Sequence, residues 1–210
     1  MKVVVFGATG GTGRQIVIQA LEAGHEVTVI ARNPEAIDIR HEHINLFKGD
    51  VLDPASFSER MVGQDAVLSA LGVNHRKPTT VYSEGIGNIA TAMRQAEIRR
   101  LICLSSAGLD IPQDTPWMVR LTTKLVIQPM FKNAYEDMAR MEGKLRRSGL
   151  DWTVVRPPRL TNGAKKGTYL IAMNQHLPKA QSISRADLAG YMIHSIPDEA
   201  SYQAVVEISD

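Results

Sequence analysis

Lys2-Val3-Val4-Val5-Phe6-Gly7-Ala8-Thr9-Gly10-Gly11-Thr12-Gly13-Arg14 begins as an apolar run, breaks into glycines and continues as an amphipathic pattern through Ile16, Val17, Ala20 and Leu21. The spacing predicts a buried strand that ends at Gly7, a tight turn, and a helix that opens near Gly11. Glycines 7, 10 and 13 answer three separate demands: an unusual backbone conformation in the turn, close approach of a diphosphate, and close packing of helix on strand. Unpaired amides at the helix start, with the helix dipole behind them, favour an anion there. Thr9 and Thr12 add hydroxyl donors. A glycine-rich octapeptide alone also serves as simple punctuation. A strand before it and a helix after it make a dinucleotide site the stronger reading. Gly7, Thr9, Gly10, Gly11, Thr12, Gly13 and Arg14 are therefore candidate cofactor contacts.

Outward from this unit the rhythm repeats. Further strands are expected at 27–31, 44–48, 66–70, 101–104, 152–155 and 204–208. Helical patterns fall at 11–23, 54–62, about 80–97, about 133–148 and 185–195. Alternation of this kind predicts an α/β architecture: one doubly wound domain over 1–210, a Rossmann fold whose mostly parallel sheet carries helices on both faces. Its crevice is expected at the carboxyl ends of the strands, where the winding reverses. The stretch 110–132 breaks the rhythm with Pro112, Pro116 and Pro129 and the apolar Trp117, Met118, Met130 and Phe131. The larger expectation is a loop and short helix packed on the core. The sharper one is a mobile cover over a substrate pocket.

Bulk properties narrow the classes. Of the 210 residues, 44% are hydrophobic and 22% charged, ordinary for a globular protein. A net charge of +2 without a run of basic residues argues against nucleic-acid and membrane partners. The lone cysteine, Cys103, excludes intrachain disulfides and reads as a small buried apolar side chain. Neither a leader-like stretch nor a membrane-length apolar run is visible, so a reducing cytoplasm is the expected setting, with a monomer or small homo-oligomer. His41-Glu42-His43 lacks a further clustered ligand and reads as a solvated turn, so no metal is expected. Glu136, Asp137 and Glu142 read as the wet face of their helix, with Met138, Met141 and Leu145 facing inward.

The second strand runs into Arg32. An NAD-preferring site usually places a carboxylate there, for the ribose hydroxyls. A guanidinium would instead meet a 2′-phosphate, with Arg14 to join it, so NADP(H) is expected over NAD(H). Asp50 and Val51 follow the third strand near the expected adenine, although Asp50 also suits capping the turn before Pro54. Leu71 and Gly72 follow the fourth strand, and Ser83 on the next helix is a candidate phosphate or ribose contact.

With these residues in place, the chain resembles the atypical short-chain dehydrogenases. The nearest likeness is to the NADPH-dependent biliverdin-IXβ reductase/flavin reductase group and its bacterial NAD(P)H-binding relatives. GATGGTGR, EVTVIARNP, GDVLDP, GQDAVLSALG, PTTVYSEGIGNI, RSGLDWTVVRPPRL and ISRADLAGYM carry it, in order, along nearly the whole chain. The resemblance implies a single-domain reductase that presents NADPH in an open crevice to flat conjugated acceptors such as flavins. It also implies cofactor contacts at Gly7, Thr9, Gly10, Thr12, Gly13, Arg32, Asp50, Val51, Leu71, Gly72 and Ser83. Ser106 matches a serine beside the nicotinamide, and Arg156-Pro157-Pro158-Arg159 matches the loop against the nicotinamide end. The chain has Arg159 and Met138 where those reductases carry histidines, and Ala36 where they carry a second arginine.

Dehydrogenases of this superfamily that act on alcohols or ketones use Tyr with Lys four residues on. Beyond Tyr82, Tyr135, Tyr169, Tyr191 and Tyr202 stand Ile86, Ala139, Met173, Ser195 and Val206, so the pair is missing. Its loss costs a ketone reductase roughly 10²–10⁴ in rate, whereas a flavin or quinone delocalises the negative charge and takes its proton from water. The leading expectation is hydride transfer from NADPH to a flavin-like or quinone-like acceptor. Ser106 and Arg159 are the catalytic candidates, and Ser105 and Pro157 are the cofactor contacts expected at the nicotinamide end. The alternatives are a non-catalytic NADP(H)-binding redox sensor and an unusual nucleotide-sugar epimerase or dehydratase.

Overall fold

The structure, a computed structural model, describes residues 1–111 and 117–210. In chain order its elements are β1 (Lys2–Phe6), α1 (Gly11–Glu22), β2 (Glu26–Ala31), β3 (Ile44–Lys48), β4 (Ala66–Ser69), α2 (Ser83–Gln95), β5 (Arg100–Leu104), α3 (Trp117–Thr122), α4 (Gln128–Leu145), β6 (Asp151–Arg156), β7 (Arg159–Thr161), β8 (Leu170–Met173), β9 (Ser182–Ser184), α5 (Arg185–His194) and β10 (Ala204–Ser209). Eight strands form one sheet in the order β3-β2-β1-β4-β5-β6-β10-β8. Every pairing in it is parallel except β10 with β8, which is antiparallel. β7 and β9 form a separate parallel pair. The expected α/β fold is the fold observed.

Alternating side chains of β1 feed two cores. Val3 and Val5 pack with Ile16, Val17, Leu188 and Met192 of α1 and α5 on one face. Val4 and Phe6 pack with Ile86, Ile89, Met93 and Met141 of α2 and α4 on the other. Since β1 to β6 all run the same way, their following loops gather on one edge. The order reverses between β1 and β4, which opens the crevice there.

Four expectations need correction. Residues 54–62 form two short 3₁₀ turns, Pro54–Ser56 and Ser58–Met61, not an α-helix. The Ser56 hydroxyl donates to the Asp53 carbonyl (2.6 Å) and the Ser58 hydroxyl to that of Pro54 (2.7 Å), binding the chain into local turns. The fourth helix begins at Gln128, earlier than expected, and is joined to α3 by a π turn over Thr123–Ile127. Pro129 lacks the amide that an unbroken α-helical ladder would need, and the chain widens just before it. Nor is this segment packed on the core: Trp117, Met118, Leu121, Leu125 and Val126 are exposed. Pro112 and Pro116, in the same stretch, lie outside the described residues. Finally, Asp137 and Glu142 are buried, not on a wet face. No helix among the described residues is long and apolar enough to cross a membrane.

Candidate cofactor and acceptor site

Gly7 takes φ +80°, a region that L side chains avoid, and a β-carbon there would stand 2.4 Å from the Ala70 carbonyl oxygen. A β-carbon on Gly13 would meet the Gly7 carbonyl oxygen at 2.1 Å, so the helix rests directly on the turn. The Gly10 amide closes this turn onto Gly7 O (3.0 Å), and the Arg14 amide makes the first helical bond, to Gly10 O (2.9 Å). Gly10, at the N-cap, offers no side chain, so the first-turn amides of Gly11, Thr12 and Gly13 have no capping side chain. Thr9, Gly10 and Gly11 are exposed, while Thr12 and Gly13 are buried. The cradle fits a diphosphate: donors converge at a helix start, and no side chain fills the space above Gly10.

The other candidates follow the strands that flank this loop. Arg32 is exposed after β2, and among the described residues no carboxylate lies within ion-pair distance of it. Arg14 is already paired with Asp38, and this hydrogen-bonded guanidinium holds the Asp38 carboxyl below its ordinary range. Asp50 accepts the Leu52 amide (3.0 Å), the turn-capping role considered for it. Val51 and Leu71 converge on Gly85, where a β-carbon would lie 2.9 and 3.4 Å from their methyl groups. Gly72 is open to solvent. Ser83 is buried, and its hydroxyl donates to Asp137, which also accepts the amides of Tyr82 (2.9 Å) and Ser83 (3.3 Å). The start of α2 is thus capped by the protein's own carboxylate. The Ser83 hydroxyl proton is thereby engaged within the protein.

Beside the glycine loop a cleft of about 610 Å³ opens past the ends of β4, β5 and β6. Ser105, Ser106, Pro157 and Pro158 form its floor; Tyr82, Phe131, Tyr135 and Met138 form an aromatic and apolar wall; His75, Arg76 and Arg185 stand at its margins. The floor is stitched together. The Ser105 amide donates to Val155 O (2.8 Å) and the Ala107 amide to Pro157 O (3.1 Å). Below it, Glu142 accepts from the Ser105 hydroxyl (2.8 Å) and from both Nε (2.9 Å) and Nη2 (2.7 Å) of Arg156. Arg156 also reaches Asp110 at 2.5 Å. Burial alone would lower the Arg156 pKa, but its bonds to Glu142 and Asp110 outweigh that and raise it. The Ser106 hydroxyl accepts the Gly108 amide (3.2 Å) and keeps its own proton for another partner. At the wall, burial pushes the Tyr82 phenol up in pKa, further from the neutral range that a proton donor needs.

A family model described as NAD(P)H-binding matches residues 7–199. The chain belongs to this family. Along 209 residues it is 25% identical to the uncharacterized protein YwnB of Bacillus subtilis, an alignment that covers 96% of this chain and 93% of YwnB. Among solved structures it superposes on a short-chain dehydrogenase/reductase of Veillonella parvula in complex with NADP, with a TM-score of 0.81, 18% identity and coverage of 100% and 94%. ChuY, an anaerobilin reductase from Escherichia coli O157:H7, superposes at 0.80 with 20% identity, covering 100% and 97%. At these identities the likeness of the two structures is one of fold.

Against this NAD(P)H-binding frame, Ser105, Ser106 and Pro157 are brought together in the cleft, but Arg159 is not. It is exposed on β7, outside the cleft wall. Besides Arg76, the guanidinium at the cleft margin is that of Arg185, at the first position of α5. Its side chain passes over Gly11, where a β-carbon would lie 2.8 Å from its Cδ, and its Nη1 donates to Asn162 (2.6 Å). Arg185 therefore links the glycine loop to the cleft. It was hidden because only the docking of α5 beside α1 brings it there. Phe131, at the end of the stretch considered as a pocket cover, does line the cleft, and Tyr135 joins it from α4, which begins earlier than its sequence pattern indicates.

Proposed function

We propose that this protein is an NADPH-dependent reductase of flat, conjugated acceptors of the flavin or quinone class. The carrying observation is the cleft: a stitched polar floor under an aromatic wall, joined to a glycine cradle, with no aspartate, glutamate or lysine among its described lining residues. NADPH, when bound, would supply the hydride. The first-turn amides of α1 would hold its diphosphate, and Arg32 would favour its 2′-phosphate over a free hydroxyl.

Phe131 and Tyr135 offer ring faces and edges for an aromatic acceptor, with the buried Tyr82 behind them, and Met138 and the two prolines exclude water around it. Ser106 can donate to a carbonyl at the floor. Among the described lining residues no pair matches the Tyr–Lys proton donor, which disfavours ketones and sugars. An acceptor that delocalises its charge takes the proton from water instead.

The test is NADPH oxidation followed at its absorbance band, with FMN, riboflavin and soluble quinones offered in turn. Turnover with at least one class is expected, and Ser106→Ala should lower kcat more than it raises KM. Tight NADPH binding with no turnover across the panel would defeat the reductase reading and leave the redox-sensor alternative.

A further inference from the structure

We propose that the face formed by α3 and the π turn seats the protein on an anionic lipid bilayer, with the mouth of the acceptor cleft at the headgroup layer. Of the large apolar side chains exposed among the described residues, Trp117, Met118, Leu121, Leu125, Val126 and Phe131 fall within one short stretch. Trp117 is 73% and Leu125 67% exposed. Trp117, Leu121 and Leu125 follow one another at successive turns, and Met118 lies beside them, so they make a stripe rather than a scatter. Monomeric soluble surfaces rarely expose such a continuous stripe.

Charge selects what covers it. Arg120 and Lys124, one turn apart, flank the stripe and are exposed, and the chain has no Asp or Glu from 115 to 135. Among the described residues neither cation has a carboxylate within ion-pair distance. In a two-fold dimer built on this face each copy would bring cations and no carboxylate from 117–135 to the other, which opposes self-association. Phosphate headgroups complement them, while the apolar stripe enters the acyl boundary and Trp117 sits at the level between. The near-neutral charge of the whole chain hides this local asymmetry.

The stripe is continuous with the cleft. Phe131, 41% exposed, and Tyr135 lie further along the same helical run, their ring centroids 5.8 Å apart, and both line the cleft. Docking would therefore bring the acceptor entrance to the membrane. Resting on the reductase reading above, the acceptor class narrows to quinones dissolved in the bilayer.

The test is sedimentation of the full chain with phosphatidylcholine vesicles and with vesicles of mixed phosphatidylcholine and phosphatidylglycerol. Binding to the mixed vesicles alone is expected, with a blue shift in tryptophan emission that Trp117→Phe removes, because Trp152 is already buried. Arg120→Gln with Lys124→Gln should lower partitioning roughly thirtyfold, from about fivefold per charge. Leu121→Gln with Leu125→Gln should lower it at least about tenfold. All four positions lie outside the core, and unchanged circular dichroism and NADPH affinity verify the fold. No binding to anionic vesicles, binding that both double variants retain, or a dimer that Leu121→Gln with Leu125→Gln dissolves would each overturn the proposal. The vesicle measurement needs no turnover, so its failure is distinct from failure of the reductase reading.

Discussion

Arg32 and Arg14 have the same charge and different prospects. Arg32 stands unpaired among the described residues, whereas Arg14 is held by Asp38. A 2′-phosphate would meet the first directly and would compete with a carboxylate for the second. Arg32→Ala should therefore raise the Kd for NADPH about tenfold or more while leaving NADH nearly unchanged, the loss expected of one charge-assisted bond. Asp38→Asn should act in the opposite direction by freeing Arg14 and removing a negative charge. Fluorescence titration with both coenzymes reads both effects. Arg185→Gln tests a different end of the cofactor: because it crosses Gly11, it should weaken NADPH and NADH alike, by roughly tenfold. Cys103 carries a prediction of inertness. Burial, with Glu142 nearby, pushes its thiol far above the neutral range, so a thiol reagent should label it only on unfolding.

At the scale of elements, carboxylates set where helices begin. Asp187 holds the start of α5 to the loop between β7 and β8. It accepts the Ser184 hydroxyl (2.6 Å), the Lys166 amide (2.9 Å) and the Gly167 amide (2.7 Å). Burial pushes its carboxyl up, but these bonds outweigh it and leave the pKa below the ordinary 3.8. A folded pKa below the unfolded one stabilises at pH values above 3.8, and the contribution drains away as pH falls through the lower folded value. Asp187→Asn should cost about 1–3 kcal/mol at neutral pH, seen in urea titration, and the gap from the unmodified chain should narrow in acid. Such roles separate what was legible in the chain from what was not. Strands β1, β2, β4, β5 and β6 were readable because strands covered on both faces carry mostly apolar runs, and the edge strand β3 from its apolar Ile44, Leu46 and Phe47. β7 and β9, of three residues each, are too short to show a period. Asp137 and Glu142 looked like a solvated helix face because their partners, Tyr82, Ser83 and Arg156, are distant in sequence. The same holds for the site: its floor follows strand ends and was anticipated, but Arg185 and the aromatic wall depend on how α4 and α5 dock.

For the whole molecule, the cofactor cradle is built from the middle of the sheet. Gly7 abuts Ala70, so the turn after β1 is pressed against the chain leaving β4, and Gly13 presses α1 on that turn. A ligand at this junction touches the element on which both cores converge, so local opening of the cradle loosens the sheet at its switch point. Binding should therefore register as global stability. At free NADPH one hundred times its Kd, linkage adds about 2.7 kcal/mol. For a chain of this size each kcal/mol moves the midpoint by roughly 2–4 °C, which gives a rise of about 5–11 °C. Differential scanning fluorimetry measures it directly. Gly13→Ala should abolish the shift as well as lower the starting midpoint, because its β-carbon would drive the helix off the Gly7 carbonyl. Arg32→Ala should keep the starting midpoint and lose about half or more of the NADPH shift at the same ligand concentration, since a tenfold higher Kd leaves about 1.4 kcal/mol of linkage. The two variants thus distinguish a cradle that builds the fold from a guanidinium that only selects the coenzyme. A full NADPH shift in Arg32→Ala would remove Arg32 from that role.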